Sequence, residues 1–167
     1  MKKLSSLIIA LFVLGLGTAF GQTAELNATA DVFQAAEITE EAPLEFGIVE
    51  TGTNPSIDFN TADAGVMLIT GSIGENIFIQ YPDQITLEDG SDQIFLETTA
   101  GTDLNTASSA TAFTSEDSVE LLDESGTGTI RLFVGGTLNQ ESDNTGTLTT
   151  PGNYSGSGTI SVSYTSF

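Results

Sequence analysis

Apolar and polar residues alternate along most of this chain with a period of two, the pattern that a half-buried β-strand produces. An early example covers residues 24–32, where polar residues separate five apolar ones. The apolar positions are Ala24, Leu26, Ala28, Ala30 and Val32. This pattern predicts a strand with one apolar face close to the N-terminus.

Further short apolar runs follow, separated by turn sequences such as Asp89-Gly90. We expect strands at 57–59, 66–69, 77–79, 93–96, 118–122, 130–134 and 160–164, the last two on one face of one sheet. No window of helical length carries an apolar stripe. Short strands between turns predict an all-β fold, an antiparallel immunoglobulin-like β-sandwich with Greek-key connections.

Two polar stretches, residues 98–118 and 139–150, are predicted to be loops. The first is longer than most loops, so we expect a short strand near Phe113.

Gly135-Gly136 is predicted to end the 130–134 strand in a turn with positive φ. Gly47 is expected at a bulge or a close backbone approach, with Phe46 at the start of a strand.

The first 21 residues have the features of a secretory signal peptide. Lys2 and Lys3 precede the apolar run 7–14, and the sequence Ala-Phe-Gly at 19–21 places small residues where a signal peptidase reads them. The apolar run is shorter than the ~20 residues that cross a bilayer. We expect cleavage before Gln22, a secreted or cell-surface location, and one β-sandwich domain over residues 22–167.

Charge excludes two classes of partner. Beyond residue 21, Arg131 is the only basic side chain against 23 carboxylates, which leaves a formal charge of −22. Nucleic acids and anionic membranes both attract proteins through Lys and Arg. We therefore expect neither as a partner, and we expect Arg131 to neutralise carboxylates on neighbouring strands.

The residue types that carry most enzyme chemistry are missing. With no His and no Cys, the usual pairs of nucleophile and base cannot form, and no disulfide staples the fold. Acidic turns at 88–92 and 116–124 could offer oxygen ligands to calcium, but their spacing is not that of an EF-hand. We expect these acids instead to keep the protein soluble and to oppose pairing of its sheet edges with other sheets. We expect no enzyme activity and no cofactor.

Four sequence elements occur in a characteristic order before the chain reaches Tyr164. They are Leu44-Glu45-Phe46-Gly47-Ile48, Thr70-Gly71, Val134-Gly135-Gly136-Thr137-Leu138 and Pro151-Gly152-Asn153-Tyr154-Ser155-Gly156. Together they resemble the secreted bacterial domain-of-unknown-function family 4402, which is similar in layout to spore-coat-U and Mat-type fimbrial subunits. The resemblance implies an immunoglobulin-like sandwich assembled on bacterial surfaces, and it implies no catalytic residues. The lack of Cys departs from the spore-coat-U pattern, which has a disulfide.

Two function classes fit these features. In the first, the protein is a non-enzymatic structural or adhesive subunit of the cell surface that joins copies of itself, or other surface proteins, by β-strand addition. Residues 23–34 are the candidate donor, unless they form the first strand of their own sandwich. In the second class, the protein is a secreted monomeric binding module that recognises glycan or protein through its loops. Since the chain has no Trp, Phe113 and Tyr154 would supply the aromatic contacts.

The charge also predicts how stability depends on salt. Repulsion among the carboxylates destabilises the folded state, and added salt screens it, because the Debye length falls to about 8 Å at physiological ionic strength. We expect the urea midpoint of unfolding to rise between low salt and half-molar sodium chloride. An unchanged midpoint would contradict this prediction.

Overall fold

The computed structural model describes Ala30 and residues 32–165. The predicted signal peptide and the predicted strand positions Ala24, Leu26 and Ala28 lie outside the described residues. The chain divides into two units, Met1–Val32 and Phe33–Phe167. Every described strand belongs to the second unit.

The described residues form eleven strands and one 3-10 helix, Ala107–Ser109. The strands are β1 (Glu37–Ala42), β2 (Ser56–Ile57), β3 (Gly65–Gly71), β4 (Asn76–Gln80), β5 (Gln84–Asp89), β6 (Asp92–Asp103), β7 (Thr111–Phe113), β8 (Ser118–Glu120), β9 (Leu122–Glu124), β10 (Thr127–Asn139) and β11 (Ser161–Tyr164). All their pairings are antiparallel. Over these residues, no helix has the length and apolar character that crossing a membrane requires.

Two sheets of unequal size face each other. The large sheet has the order β1-β3-β10-β6-β5, with β2 and β9 also paired to β10 and β7 paired to β6; the small sheet has the order β11-β4-β8. Strands adjacent in a sheet are often distant in sequence, as β3 and β10 are. The predicted all-β antiparallel sandwich is confirmed.

The main core lies between the two sheets. Ile77 and Ile79 of β4 pack with Ile69 of β3 and Leu132 of β10, and all four side chains are fully buried. Burying side chains of this size stabilises the fold by roughly 1.5–3 kcal/mol each. Beyond the small sheet, a second cluster on the same face of the large sheet joins Ile94, Leu96, Leu138 and Leu148.

The outer face of β10 is buried as well, although its sequence is more polar. Phe133 is buried there, and residues 58–64 cross this face, with Ala64 and the Phe59 ring against the sheet. A Cβ on Gly135 would lie 2.6 Å from the Phe59 nitrogen and would collide with the Ile57 carbonyl oxygen. Gly135 is therefore required for close packing.

This packing corrects the prediction of a turn at Gly135-Gly136. Both glycines lie inside β10, and neither has a positive φ. Residues 130–134 and 160–164 belong to different sheets, although their apolar side chains share the main core. The strand predicted to reach Phe59 ends at Ile57.

The predicted loop at 98–118 is partly wrong and partly confirmed. Its first residues continue β6 as far as Asp103, while β7 is the short strand expected near Phe113.

Gly47 has a φ of 63° and nothing within 4 Å of its Cβ position, so its backbone conformation, not crowding, favours glycine. Phe46 lies outside any strand and packs against the second cluster.

Arg131 of β10 connects β1, β9 and the residue that follows β6. Its Nε lies 2.9 Å from Glu41 Oε2 of β1, its Nη1 lies 3.4 Å from Glu124 Oε2 of β9, and Nη1 also donates to the carbonyl oxygen of Leu104. Hydrogen bonding to Glu41 raises the pKa of the guanidinium, and partial burial opposes this. The predicted neutralisation of carboxylates by Arg131 is confirmed.

Gly135→Ala tests the crowding on the outer face. Because the new methyl group would meet main-chain atoms, we expect a loss of about 2 kcal/mol or more in the free energy of unfolding, measured by urea denaturation. Gly52→Ala is the matched control, because Gly52 has a positive φ but nothing within 4 Å of its Cβ position. The control should lose about 1 kcal/mol. Equal losses in the two variants would contradict the crowding.

Candidate functional site

The large sheet extends beyond the small one. β10 has 13 residues and β6 has 12, whereas no strand of the small sheet exceeds five. Past the small sheet, the inner face of the large sheet is covered by residues 43–51 and 148–158, which form no strand. The second apolar cluster lies under this irregular cover.

A cleft of about 740 Å³ opens between these two covering segments. Residues 43–51 form one wall, residues 150–156 form the other, and we call the space the terminal cleft. Its floor consists of the apolar side chains Leu87, Ile94, Leu138 and Leu148. The volume falls in the range of protein sites that hold ligands, roughly 300–1,000 Å³.

A second cavity, of about 260 Å³, extends between the sheets and shares Pro43, Leu44, Leu87 and Gly156 with the terminal cleft. Its other lining residues are mainly apolar, among them Met67. Apolar surface therefore continues from the mouth of the cleft into the sandwich.

Backbone hydrogen bonds fix the base of the cleft. The nitrogen of Gly52 donates to the Leu148 carbonyl oxygen at 2.7 Å, and the nitrogen of Leu148 donates to the Thr53 carbonyl oxygen at 3.1 Å. On the other side, Glu88 and Ser155 exchange two backbone hydrogen bonds, of 2.9 and 3.1 Å. The two covering segments are thus bonded to each other at their base, and the second wall is also bonded to β5.

Glycine lets the second wall lie directly on β5. A Cβ on Gly156 would collide with the carbonyl oxygen of Thr86 and would lie 2.8 Å from Leu87 Cδ2. The neighbouring nitrogen of Asn153 donates to Asp89 Oδ2 at 3.0 Å. The sequence element at 151–156 is therefore a wall that packs closely against the sheet edge.

Two aromatic rings and one exposed aliphatic side chain line the cleft. Phe46 and Tyr154 are partly buried against the second cluster, whereas Ile48 is fully exposed. The Tyr154 hydroxyl donates to the Thr150 carbonyl oxygen at 3.2 Å. Burial, followed by the nearby charges of Asp92 and Asp89, raises the pKa of Tyr154.

The charged residues of the lining are Glu45 and Glu50, both acidic. An anionic ligand would meet repulsion here without a compensating cation. An uncharged apolar occupant fits the floor of the cleft.

The acidic turns considered for calcium serve the fold. Asp123 Oδ1 accepts a hydrogen bond from the Gly126 nitrogen, Glu124 pairs with Arg131, and Asp89 holds Asn153. Within the part of the chain that the structure describes, no three acidic side chains come together where they could hold a metal ion.

The structure describes the last residues of the predicted donor segment, except Asp31. Ala30 and Val32 are exposed and lie in no strand. The Phe33 ring lies 5.6 Å from the Tyr164 ring, measured between centroids. The nitrogen of Gln34 donates to Ser72 Oγ at 2.7 Å, and the Tyr164 hydroxyl donates to the Gln34 carbonyl oxygen at 2.6 Å.

The two aromatic residues suggested for a binding loop have different environments. Phe113 is buried in the main core, where it contacts other core side chains, so its prediction as a ligand contact is wrong. Tyr154 lines the terminal cleft. Sequence reasoning singled out 44–48 and 151–156 separately but missed that they form facing walls.

Comparison of the chain with protein families, with curated proteins and with solved structures gives no match. The resemblance to family 4402 stays a prediction. What the terminal cleft does is therefore argued from its geometry.

The pKa of Tyr154 gives a test of the cleft's environment. Because the raised pKa favours the neutral phenol in the folded state, this stabilisation is complete below about pH 10, the ordinary tyrosine value, and is lost as the pH rises through the folded value. We expect the ultraviolet titration difference between the native chain and Tyr154→Phe to have its midpoint above that of free tyrosine.

Asp92→Asn should move this midpoint down, whereas Asp143→Asn, at an exposed carboxylate that is not among the causes of the shift, should leave it unchanged. A midpoint at or below the value of free tyrosine would show that the Tyr154 ring is not held against the cleft.

Proposed function

We propose that this protein is an exported, non-enzymatic structural subunit that joins copies of itself by strand addition through its N-terminal segment. We call residues 22–32, which follow the predicted signal peptide, the N-terminal arm. The observation that carries the proposal is at the end of this arm. Ala30 and Val32 are exposed and outside every strand, although they continue an alternating apolar pattern.

The contacts just after the arm support this interpretation. Phe33 and Gln34 are fixed to Tyr164 and Ser72, so the sandwich begins with an anchored residue pair. β1 follows at Glu37 and supplies an edge strand of the large sheet. All eleven described strands therefore lie after the anchor.

The chemistry of the cleft favours binding over catalysis. Its two acidic side chains, Glu45 and Glu50, lie on one wall, and the other titratable side chain of the lining is Tyr154, whose raised pKa favours the neutral phenol. Hydroxyls and apolar groups make up most of the remaining lining. Such a surface can hold a chain segment without reacting with it.

A second candidate function is supported by the size of the terminal cleft. A cleft of about 740 Å³ with Phe46 and Tyr154 in its lining could hold a neutral glycan or a peptide from another protein. In that case the protein would act as a secreted monomer, and the arm would have no role in binding.

Substitutions on opposite faces of the arm separate the two functions. Leu26→Asp places a carboxylate on the apolar face, and Asn27→Asp, the matched control, adds the same charge one residue away on the polar face. In the chain beginning at Gln22, we expect Leu26→Asp to weaken self-association at least about tenfold, the factor that losing one buried leucine implies. Asn27→Asp should assemble like the unmodified chain.

Light scattering coupled to size exclusion, together with negative-stain microscopy, measures this association. A monomeric unmodified chain, or equal assembly by both variants, would refute the proposal. Thermal melting of both variants supplies the folding control. If Leu26→Asp unfolds the protein while Asn27→Asp does not, the arm is the first strand of its own sandwich.

A further inference from the structure

We infer that the terminal cleft and the second cavity form one binding site for a single-chain amphiphile, a small molecule with an alkyl tail and a polar head that carries no negative charge. The tail would enter the cavity between the sheets, and the head would stay in the cleft. This inference goes beyond the proposed function and does not depend on assembly through the N-terminal arm. It follows from the volumes of the two spaces, from their polar groups and from the charge of their walls.

The two spaces are continuous but differ in size. The terminal cleft has a volume of about 740 Å³ and the second cavity about 260 Å³, and Leu44 and Leu87 line both. The second cavity is smaller than the roughly 300–1,000 Å³ of sites that hold a whole ligand. It is therefore suited to one part of a ligand whose remainder lies in the cleft.

The second cavity offers few hydrogen bonds to a polar group. Most of its lining residues are apolar, among them Leu96, Val134 and Ile160. The Tyr81 hydroxyl donates to the Phe113 carbonyl oxygen at 2.8 Å, and the Thr98 hydroxyl donates to the Pro82 carbonyl oxygen. Across the described part of the chain, no buried side-chain nitrogen or oxygen lacks a hydrogen-bond partner. Because a buried water needs about two to four polar partners, an alkyl tail can displace water from this cavity.

The path from the cleft into the cavity favours an elongated ligand with an apolar end. Leu138 and Leu148 form part of the cleft floor, Leu87 lines both spaces, and Met67 lines the second cavity. A ligand that fills both spaces contacts this apolar surface along its length. Each methylene buried in this way strengthens binding about fourfold.

The charged residues of both linings are acidic, and all of them lie on one segment. Glu40 lines the second cavity, Glu45 and Glu50 line the cleft, and all three residues are exposed. The facing segment, residues 150–158, has no charged side chain but presents exposed polar residues such as Asn153. A carboxylate or phosphate head would be repelled by the acidic wall, whereas a hydroxyl or ammonium head would not.

Met67 tests whether the tail enters the second cavity, because it is the single methionine after residue 1. In the chain beginning at Gln22, labelled methionine supplies a methyl resonance, which its loss in Met67→Leu assigns. We expect octanol, the probe, to shift this resonance saturably at one octanol per chain. Butanol has the same head but four fewer methylenes, so it should bind more than about a hundredfold more weakly.

Calorimetry of the same samples measures the affinities. Octanol binding without a change in the Met67 resonance would overturn the inference. The absence of octanol binding, or equally tight binding of butanol, would also overturn it.

Three probes with the same number of carbons test the charge of the head. Octanol and octylammonium should bind, whereas octanoate should bind at least about tenfold more weakly than octanol. Combining Glu45→Gln with Glu50→Gln should reduce this difference. The matched control combines Glu37→Gln with Asp63→Asn, at exposed carboxylates outside both linings, and should leave the difference unchanged. Octanoate binding as tight as that of octanol, or equal effects of the two double variants, would overturn the placement of the head in the cleft.

Leu87→Trp tests the connection between the two spaces, because a larger side chain at this half-buried position would narrow it. We expect octanol to bind at least about tenfold more weakly, the factor for roughly two methylenes that are no longer buried. Leu122→Trp, at an exposed position outside both linings, is the matched control and should bind octanol like the unmodified chain.

Thermal melting without ligand shows whether these variants fold. If Leu87→Trp does not fold, Ser157→Trp takes its place, because Ser157 is exposed and lines the second cavity. Unchanged octanol affinity in the folded variant would contradict the inferred path of the tail.

Discussion

The fold depends on one long strand whose two faces must both be covered. β10 pairs with four other strands and carries Leu132 on its inner face and Phe133 on its outer face, both buried. A small sheet of short strands covers only part of the inner face, and the non-strand segment 58–64 crosses the outer face. An apolar sheet face must be covered by another layer. Beyond the small sheet, the inner face is therefore covered by segments without regular secondary structure, residues 43–51 and 148–158. The terminal cleft is the incomplete part of that cover.

This constraint explains why glycines occur inside β10, where they ordinarily weaken a strand. A Cβ on Gly135 would meet the main chain of 57–59, and one on Gly136 would lie 2.6 Å from Leu96 Cδ1. At each position, glycine has a lower intrinsic preference for strand structure than other residues, but its lack of a Cβ allows the layers to approach closely. The same reason applies to Gly156, which lets the cleft wall lie against β5.

The sequence predicted the parts of the fold that follow a local period, because a strand with one buried face records that burial in its alternation. The strand around Ile130 was found in this way, whereas the strands around Ile69 and Ile79 were found as short apolar runs. Gly135 was misread, because local sequence cannot distinguish a glycine that turns the chain from one that admits a distant segment. The cleft could not be foreseen for a similar reason: its walls, residues 43–51 and 150–156, are separated by about a hundred residues and lack any period.

Charge then limits the ways in which such molecules could associate. One arginine against 23 carboxylates opposes broad side-to-side contact, and the one described cation, Arg131, is already engaged by Glu41 and Glu124. A contact between copies must therefore be small, apolar and distant from most carboxylates. An arm of eleven residues with two carboxylates, Glu25 and Asp31, is a small contact of this kind, and it allows the charged faces of neighbouring sandwiches to stay apart. In the proposed assembly, the same repulsion would disfavour lateral clustering of the copies.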